Sequence, residues 1–386
     1  MLLTDQTSQA TEFGIQVATS THTTTTTARP KRELTSKEKS MMIEAAKIGN
    51  ITVFNAIFDD GIIDPNAVID DTSGGAALHY AAVFGNLEIF QLYDRKGGDL
   101  MPIFMPKRKS LDKLRGYSPL HYAARAGHLD IVEFLTARIE NKNPSDDNGM
   151  TPLHLAATNG HLSIVQLLVG FLENKNPKAG IRWKEITPLH AAALGGHLDV
   201  LQFLLQFNEQ GTNPPISDGR TCLHLAAQNG HLNIIKHYKE ELNYENINPG
   251  QVSNDKFNGR TPLHYASKYG HIKVVKYLTA RIEDKNLPDD NGMTPLHLAA
   301  YYGHLEIVKL IASFESDKNP KAGRFWYERT PLHDAAYRGH LNVVEYLAGL
   351  VPDVNIKSFS NKTPLDYAKE KGHNDVVNYL ESLNNN

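Results

Sequence analysis

Eighteen histidines and one cysteine, Cys222, are the side chains of this 386-residue chain with the widest chemical reach. Imidazole titrates near neutrality, moves protons and binds metals, and a lone thiol can act as a nucleophile. Spacing decides against these uses. Eight histidines (79, 121, 154, 190, 224, 264, 297 and 333) close a Thr-Pro-Leu-His tetrapeptide or a variant of it. Eight more follow a glycine, as in Gly127-His128, Gly160-His161 and Gly303-His304, which leaves only His22 and His237 outside the two sets. Residues that recur at one interval fall on successive packed units roughly 10 Å apart, whereas two zinc ligands lie within about 4 Å of each other. No acidic or cysteine partner recurs at a matching offset. The histidines therefore read as structural, with no metal and no cofactor. Cys222 stands in the slot that is proline in most of the tetrapeptides and reads as a packed residue. A single cysteine excludes an intramolecular disulfide and a cysteine-based zinc site, and it suits a reducing compartment. The chain carries no G-x-S-x-G, glycine-rich phosphate loop or H-E-x-x-H, so no catalytic residue is assigned.

The elements that position these side chains follow from the tetrapeptide. Ser-Pro-Leu-His at 118–121 recurs as Thr-Pro-Leu-His at 151–154, 187–190, 261–264, 294–297 and 330–333. Ala-Ala-Leu-His stands at 76–79, Thr-Cys-Leu-His at 221–224 and Thr-Pro-Leu-Asp at 363–366. Successive fourth positions are 42, 33, 36, 34, 40, 33, 36 and 33 residues apart. Thr or Ser ahead of Pro supplies an N-cap oxygen, and Pro at the first helical position gives up an amide that has no partner there. A small pair such as Ala123-Ala124 lets this helix lie close to its neighbours, and the glycine of Gly127-His128 suits the left-handed position that ends it. Leu129–Leu135, with apolar residues three and four apart, predicts a second helix, and Asn143-Pro144 and Asn148-Gly149 predict turns. One such unit cannot bury its own apolar face; stacking does that. These residues resemble the ankyrin-repeat family, whose signature is a unit of about 33 residues carrying T-P-L-H-x-A. The resemblance runs from about residue 37 to 383. It implies an all-α solenoid of about ten stacked helix–turn–helix units with short β-turn fingers, on the order of 100 Å long.

The ends depart from the pattern. Residues 37–70 lack the opening tetrapeptide and predict a degenerate N-terminal cap. Residues 361–383, where Asp366 replaces the motif histidine, predict a C-terminal cap, and 384–386 a polar tail. Residues 1–36, with five threonines in a row at 23–27 and no apolar period, predict a disordered tail. A longer period overlies the short one. DNGMTPLHLAA occurs at 147–157 and 290–300, LTARIE at 135–140 and 278–283, and KNPKAG at 175–180 and 318–323, always 143 residues apart. Four units have been duplicated as a block, so the second copy can be compared with the first.

That comparison yields the candidate binding residues. The resemblance implies that the two residues before each glycine face the concave groove. In the first block these are Arg125-Ala126, Thr158-Asn159 and Leu194-Gly195; in the second they are Lys268-Tyr269, Tyr301-Tyr302 and Tyr337-Arg338. Tyrosine offers large contact area at low entropic cost, and aligned aromatics form a contact patch. A second candidate is the pair of longer fingers, residues 175–185 and 318–328, which hold the chain's two tryptophans, Trp183 and Trp326, together with Tyr327. Asparagines before the turns (143, 176, 286, 319 and 355) read as turn formers. At Asn355 the spacing is similar to that hydroxylated in some ankyrin repeats by an asparaginyl hydroxylase. The basic run Lys107-Arg108-Lys109 reads as a solvated loop or an import patch.

A formal charge of −3 gives no general pull toward nucleic acid. No stretch reaches the roughly 20 apolar residues of a membrane helix, and the first residues lack the basic start of a signal peptide. The expectation is a non-enzymatic scaffold or adaptor that binds a partner protein, with no small-molecule substrate, in the cytoplasm or nucleus. A regulatory or targeting subunit of a phosphatase or ubiquitin ligase is the alternative. A nucleic-acid surface built on Lys268, Arg338 and the tyrosines is a more distant one.

Overall fold

The computed structural model of the chain describes residues 33–58, 69, 75–103, 116–208, 211–251 and 258–384. Most of the Thr-rich segment and the Lys107-Arg108-Lys109 run lie outside the described residues. Within them the chain forms ten helical pairs. These are α1 (Ser36–Ile48) with α2 (Ile51–Phe58), α3 (Ala77–Phe84) with α4 (Leu87–Arg95), and α5 (Pro119–Ala126) with α6 (Leu129–Thr136). Next come α7 (Pro152–Asn159) with α8 (Leu162–Gly170), α9 (Pro188–Gly195) with α10 (Leu198–Leu205), and α11 (Cys222–Asn229) with α12 (Leu232–Glu240). The C-terminal part holds α13 (Pro262–Tyr269) with α14 (Ile272–Thr279), and α15 (Pro295–Tyr301) with α16 (Leu305–Phe314). The last two pairs are α17 (Pro331–Arg338) with α18 (Leu341–Ala348), and α19 (Pro364–Lys371) with α20 (Asn374–Asn384).

Odd-numbered helices stack on one another in succession, and even-numbered helices form a second row behind them. The inner row packs tightly because its facing positions are small: Ala123, Ala124, Ala156, Ala157, Ala299 and Ala300 are fully buried. The outer row presents β-branched pairs to the core, such as Ile131-Val132, Val274-Val275 and Val343-Val344, all fully buried. One main core results, running through the array as each unit buries its apolar side on its neighbours, with a small separate cluster at Met293, Leu298 and Ala322. The two long fingers each carry one 3₁₀ turn, Ile181–Trp183 and Arg324–Trp326. No helix among the described residues is long and apolar enough to cross a membrane.

The helical array takes in residues before 37. Leu34 is buried, and Thr35 caps α1 through a reciprocal pair of bonds with Glu38, so Leu34–Ser36 belong to the array rather than to a tail. At the other end α20 runs on to Asn384.

Candidate functional site: an aromatic and cationic strip on the inner helices

The motif histidines are fasteners. In seven units the Thr or Ser hydroxyl donates to the histidine Nδ1 at 2.8–2.9 Å. In the same seven units Nε2 donates to a backbone carbonyl of the next unit at 2.9–3.2 Å. His79 does the same work with the Ala76 amide and the Pro102 carbonyl. The carbonyls fix the tautomer, since only a protonated Nε2 can donate to them. Burial lowers these imidazoles from 6.5 to about 4, and His264 to about 3.

The threonine is therefore less an N-cap oxygen than the sequence suggests. That duty falls mainly to the asparagines before the turns. Asn143, Asn176, Asn213, Asn248, Asn286 and Asn319 each accept the second-residue amide of the following inner helix at 2.9–3.4 Å. The distance of ten to fifteen residues hides this cap from any local pattern. Asn355 is exposed and is bonded instead to Asn384 of α20.

The second histidine set pins the groove. Nε2 of His304, His340 and His373 donates at 3.1 Å to the carbonyls of Lys268, Tyr301 and Tyr337 in the preceding units. On this held backbone the six residues singled out in the groove form one continuous strip across α13, α15 and α17. Lys268 Nζ lies 4.9 Å from the Tyr269 ring centroid and 5.7 Å from that of Tyr302 in the next unit. Tyr302 meets Tyr301 edge-on at 5.0 Å, and Tyr301 stacks on Tyr337 at 6.3 Å with 22° between the rings. The Arg338 guanidinium stands 5.0 Å over Tyr301. Tyr269 and Tyr302 remain 45% and 39% exposed.

Sequence reasoning missed four members. Tyr367 meets Tyr337 edge-on at 6.0 Å, and Lys371 Nζ lies 4.8 Å from the Tyr337 centroid, extending the strip into the last unit. Arg260 and Arg329 lie beneath it. Arg260 Nε donates to Asp289 Oδ2 at 3.0 Å, whereas Arg329 Nε stands 3.0 Å from Asp334 Oδ1 without forming a hydrogen bond, both pairs being buried. Burial pushes the Asp334 carboxyl up to about 7, with Arg329 pulling it back down. The signal was available in the duplication: the first block has Tyr117, Ile186 and Ala191 where the second has Arg260, Arg329 and Asp334.

The fingers divide their aromatic residues between packing and display. Trp183 is half-buried against the main core, and Trp326 packs on Met293, Leu298 and Ala322. Finger cations are also tied down, Lys178 by Glu185 and Lys321 and Arg324 by Glu328. What the fingers display is Ile181 in the first copy and Phe325 and Tyr327 in the second. Trp326 nevertheless reaches the groove. It joins Arg260, Lys268, Tyr301, Tyr302 and Arg329 around a cavity of about 160 Å³, so two candidates that the sequence kept apart meet in one place. Trp183 lies in the first block, away from the tyrosines.

Among known families, ankyrin-repeat models match residues 94–179, 171–246 and 239–322, and a further ankyrin-repeat model matches residues 321–368. No curated protein gives a significant match. With most of its length under these models and its helical pairs stacked in two rows, the chain belongs to the ankyrin-repeat proteins.

Proposed function

We propose that this chain is a non-enzymatic scaffold that holds a segment of a partner protein in the groove of the second block, on Tyr269, Tyr302, Tyr301 and Tyr337. The observation that carries this reading is a chain of contacts over three units, with Tyr302, Tyr301 and Tyr337 ring to ring and Tyr269 joined to Tyr302 through Lys268, at positions where the first block has Asn159, Thr158, Leu194 and Ala126. The rings are presented by backbone already pinned through His304, His340 and His373, so a partner finds the surface in place and little ordering cost opposes binding. A non-catalytic role is supported by the state of the groups with the most chemistry. The motif histidines are buried with both nitrogens engaged, and burial pushes the Cys222 thiol up to about 12. A reducing compartment, the cytoplasm or nucleus, suits a chain with one such thiol.

The test is a paired capture from native lysate read by mass spectrometry. One bait is the full chain; the other carries Tyr269→Ala, Tyr301→Ala, Tyr302→Ala and Tyr337→Ala, with folding checked by circular dichroism and a cooperative melt. Partners held by the first and lost by the second are expected. Equal capture by both baits sinks the reading and moves attention to Phe325, Tyr327 and Ile181.

A further inference from the structure

The strip carries charge as well as aromatic surface, and most of that charge is balanced internally. Arg260 faces Asp289, Arg329 faces Asp334, and Lys362 and Lys371 share Glu370. Lys268 and Arg338 are different: among the described residues no carboxylate lies within ion-pair distance of either. Each sits over a tyrosine ring instead. A cation over a ring gains from the ring's negative face and still turns its other side to an incoming anion. Both are accessible, Arg338 as an exposed residue and Lys268 at the mouth of the cavity of about 160 Å³.

We propose that the segment held by the groove is an acidic peptide in extended form, with one carboxylate on Lys268, a second on Arg338, and an apolar side chain between them on Tyr301 and Tyr302. This rests on the groove reading given above and adds the chemistry of what binds. The distances 5.7, 5.0 and 5.0 Å linking Lys268, Tyr302, Tyr301 and Arg338 place the two cations at most about 16 Å apart, which extended chain spans in about five residues. The partner's two acidic residues are therefore no more than about five positions apart. The duplicated block serves as an internal control. Arg125 stands where the second block has Lys268, but Gly195 replaces Arg338 and Thr158-Asn159 replace the two tyrosines, so the pair of separated cations belongs to the second block alone. Carboxylates fit this pattern better than a nucleic-acid backbone. The other cations of the strip are already paired with Asp289, Asp334 and Glu370, so two separate carboxylates match the two cations left over, whereas a continuous run of phosphates finds no matching line of cations.

The experiment selects random dodecapeptides displayed on phage against four immobilised full-length proteins. These are the wild type, Lys268→Glu, the Lys268→Glu/Arg338→Glu double variant, and the four-tyrosine alanine variant. Folding of each is confirmed by circular dichroism. The expected result is a wild-type consensus with two Asp or Glu residues four positions apart and an apolar residue midway, since alternate side chains of extended chain share a face. Such peptides should lose on the order of tenfold or more in affinity on Lys268→Glu. Peptides with lysine in the two acidic positions should bind the double charge-reversal variant. A neutral or basic consensus, or an acidic one indifferent to charge reversal, overturns the acidic proposal. If those same peptides are lost on the four-tyrosine variant, the groove reading survives alone. Wild-type peptides that bind the four-tyrosine variant equally well overturn both. An empty selection also overturns the proposal, as does a single-stranded oligothymidylate that competes with the selected peptides and is itself lost on Lys268→Glu.

Discussion

Asp334 and Arg329 replace Ala191 and Ile186 of the first block, and the two changes make sense only together. A lone buried carboxylate or guanidinium is strongly unfavourable, whereas an apolar pair of similar volume is often as good as the ion pair. Asp334→Ala alone should therefore lower stability to urea by about 3–5 kcal/mol, because Arg329 is left buried without its partner. The double variant Arg329→Ile/Asp334→Ala, which restores the first-block pair, should recover most of that loss. Urea titration of both variants checks this, and a single variant within about 1 kcal/mol of wild type would mean the pair carries little. A second residue-scale expectation concerns the remote caps. Asn286→Ala removes the oxygen that accepts the Leu296 amide and should cost about 0.5–2 kcal/mol. Asn355→Ala breaks an exposed pair of bonds to Asn384 and no cap, and should cost clearly less. Equal losses at the two sites would show that the asparagines act through their turns and not as caps. The caps could not be read from local sequence, since each asparagine and the amide it meets stand ten to fifteen residues apart. The ion pair spans only five residues at the entry of one helix, and the comparison of the two blocks held its trace.

At the scale of the helix pair, the Thr–His fastener makes stability depend on pH. The imidazoles of the motif are lowered from 6.5 to about 4 in the folded chain, so the unfolded chain binds protons more readily. Their contribution is complete above about pH 6.5 and is lost as the pH falls toward 4. The structural cause is visible at Nδ1. Protonation there places a hydrogen against the Thr hydroxyl and the Thr amide, both already donating, as at Thr261. A tenfold difference in proton affinity between folded and unfolded chain is worth about 1.4 kcal/mol, so a few histidines together outweigh the marginal stability of a folded domain. The melting temperature should thus fall steeply between pH 6.5 and 5, with unfolding before individual histidines reach their folded values. A flat profile over that range, followed by calorimetry, would remove the histidines from the stability argument. The last pair is built otherwise: Asp366 accepts the Thr363 amide and hydroxyl at 2.8 Å each, and these bonds hold its carboxyl below the usual range. The fold at this scale was legible throughout, because proline, the alanine pair and the glycine each act within one helix. For the histidine, the resemblance implied bonds to the threonine and to backbone, while spacing alone could not name the carbonyl, which lies in the next unit.

The molecule as a whole is a sum of nearest-neighbour interfaces, so damage to one interface should split its cooperativity. Gly160 offers the site. Its φ is +78°, and a Cβ there would lie 2.2 Å from His197 Nδ1 in the following unit. The two tryptophans, one per block, report on the two halves separately. In Gly160→Ala, the urea midpoint read from Trp183 in a Trp326→Phe background should fall below that read from Trp326 in a Trp183→Phe background. Coincident midpoints would mean that the array unfolds as one body despite the lesion.

The repeat is written in the sequence, with its period, its helical pairs and its duplicated block, and the resemblance added the face on which the tyrosines gather. These rest on short-range rules that recur in every unit, so each repetition reinforces the same reading. The tertiary structure alone decided which of those residues meet. Stacking set Trp326 of one finger beside Lys268, Tyr301 and Tyr302, brought Arg260 and Arg329 under the strip, and turned Trp183 into packing while Phe325 and Tyr327 stayed exposed. The physical reason is distance along the chain. Residues one repeat apart or more come together only when neighbouring units bury their apolar faces on each other, and the register of that burial is a property of the whole stack.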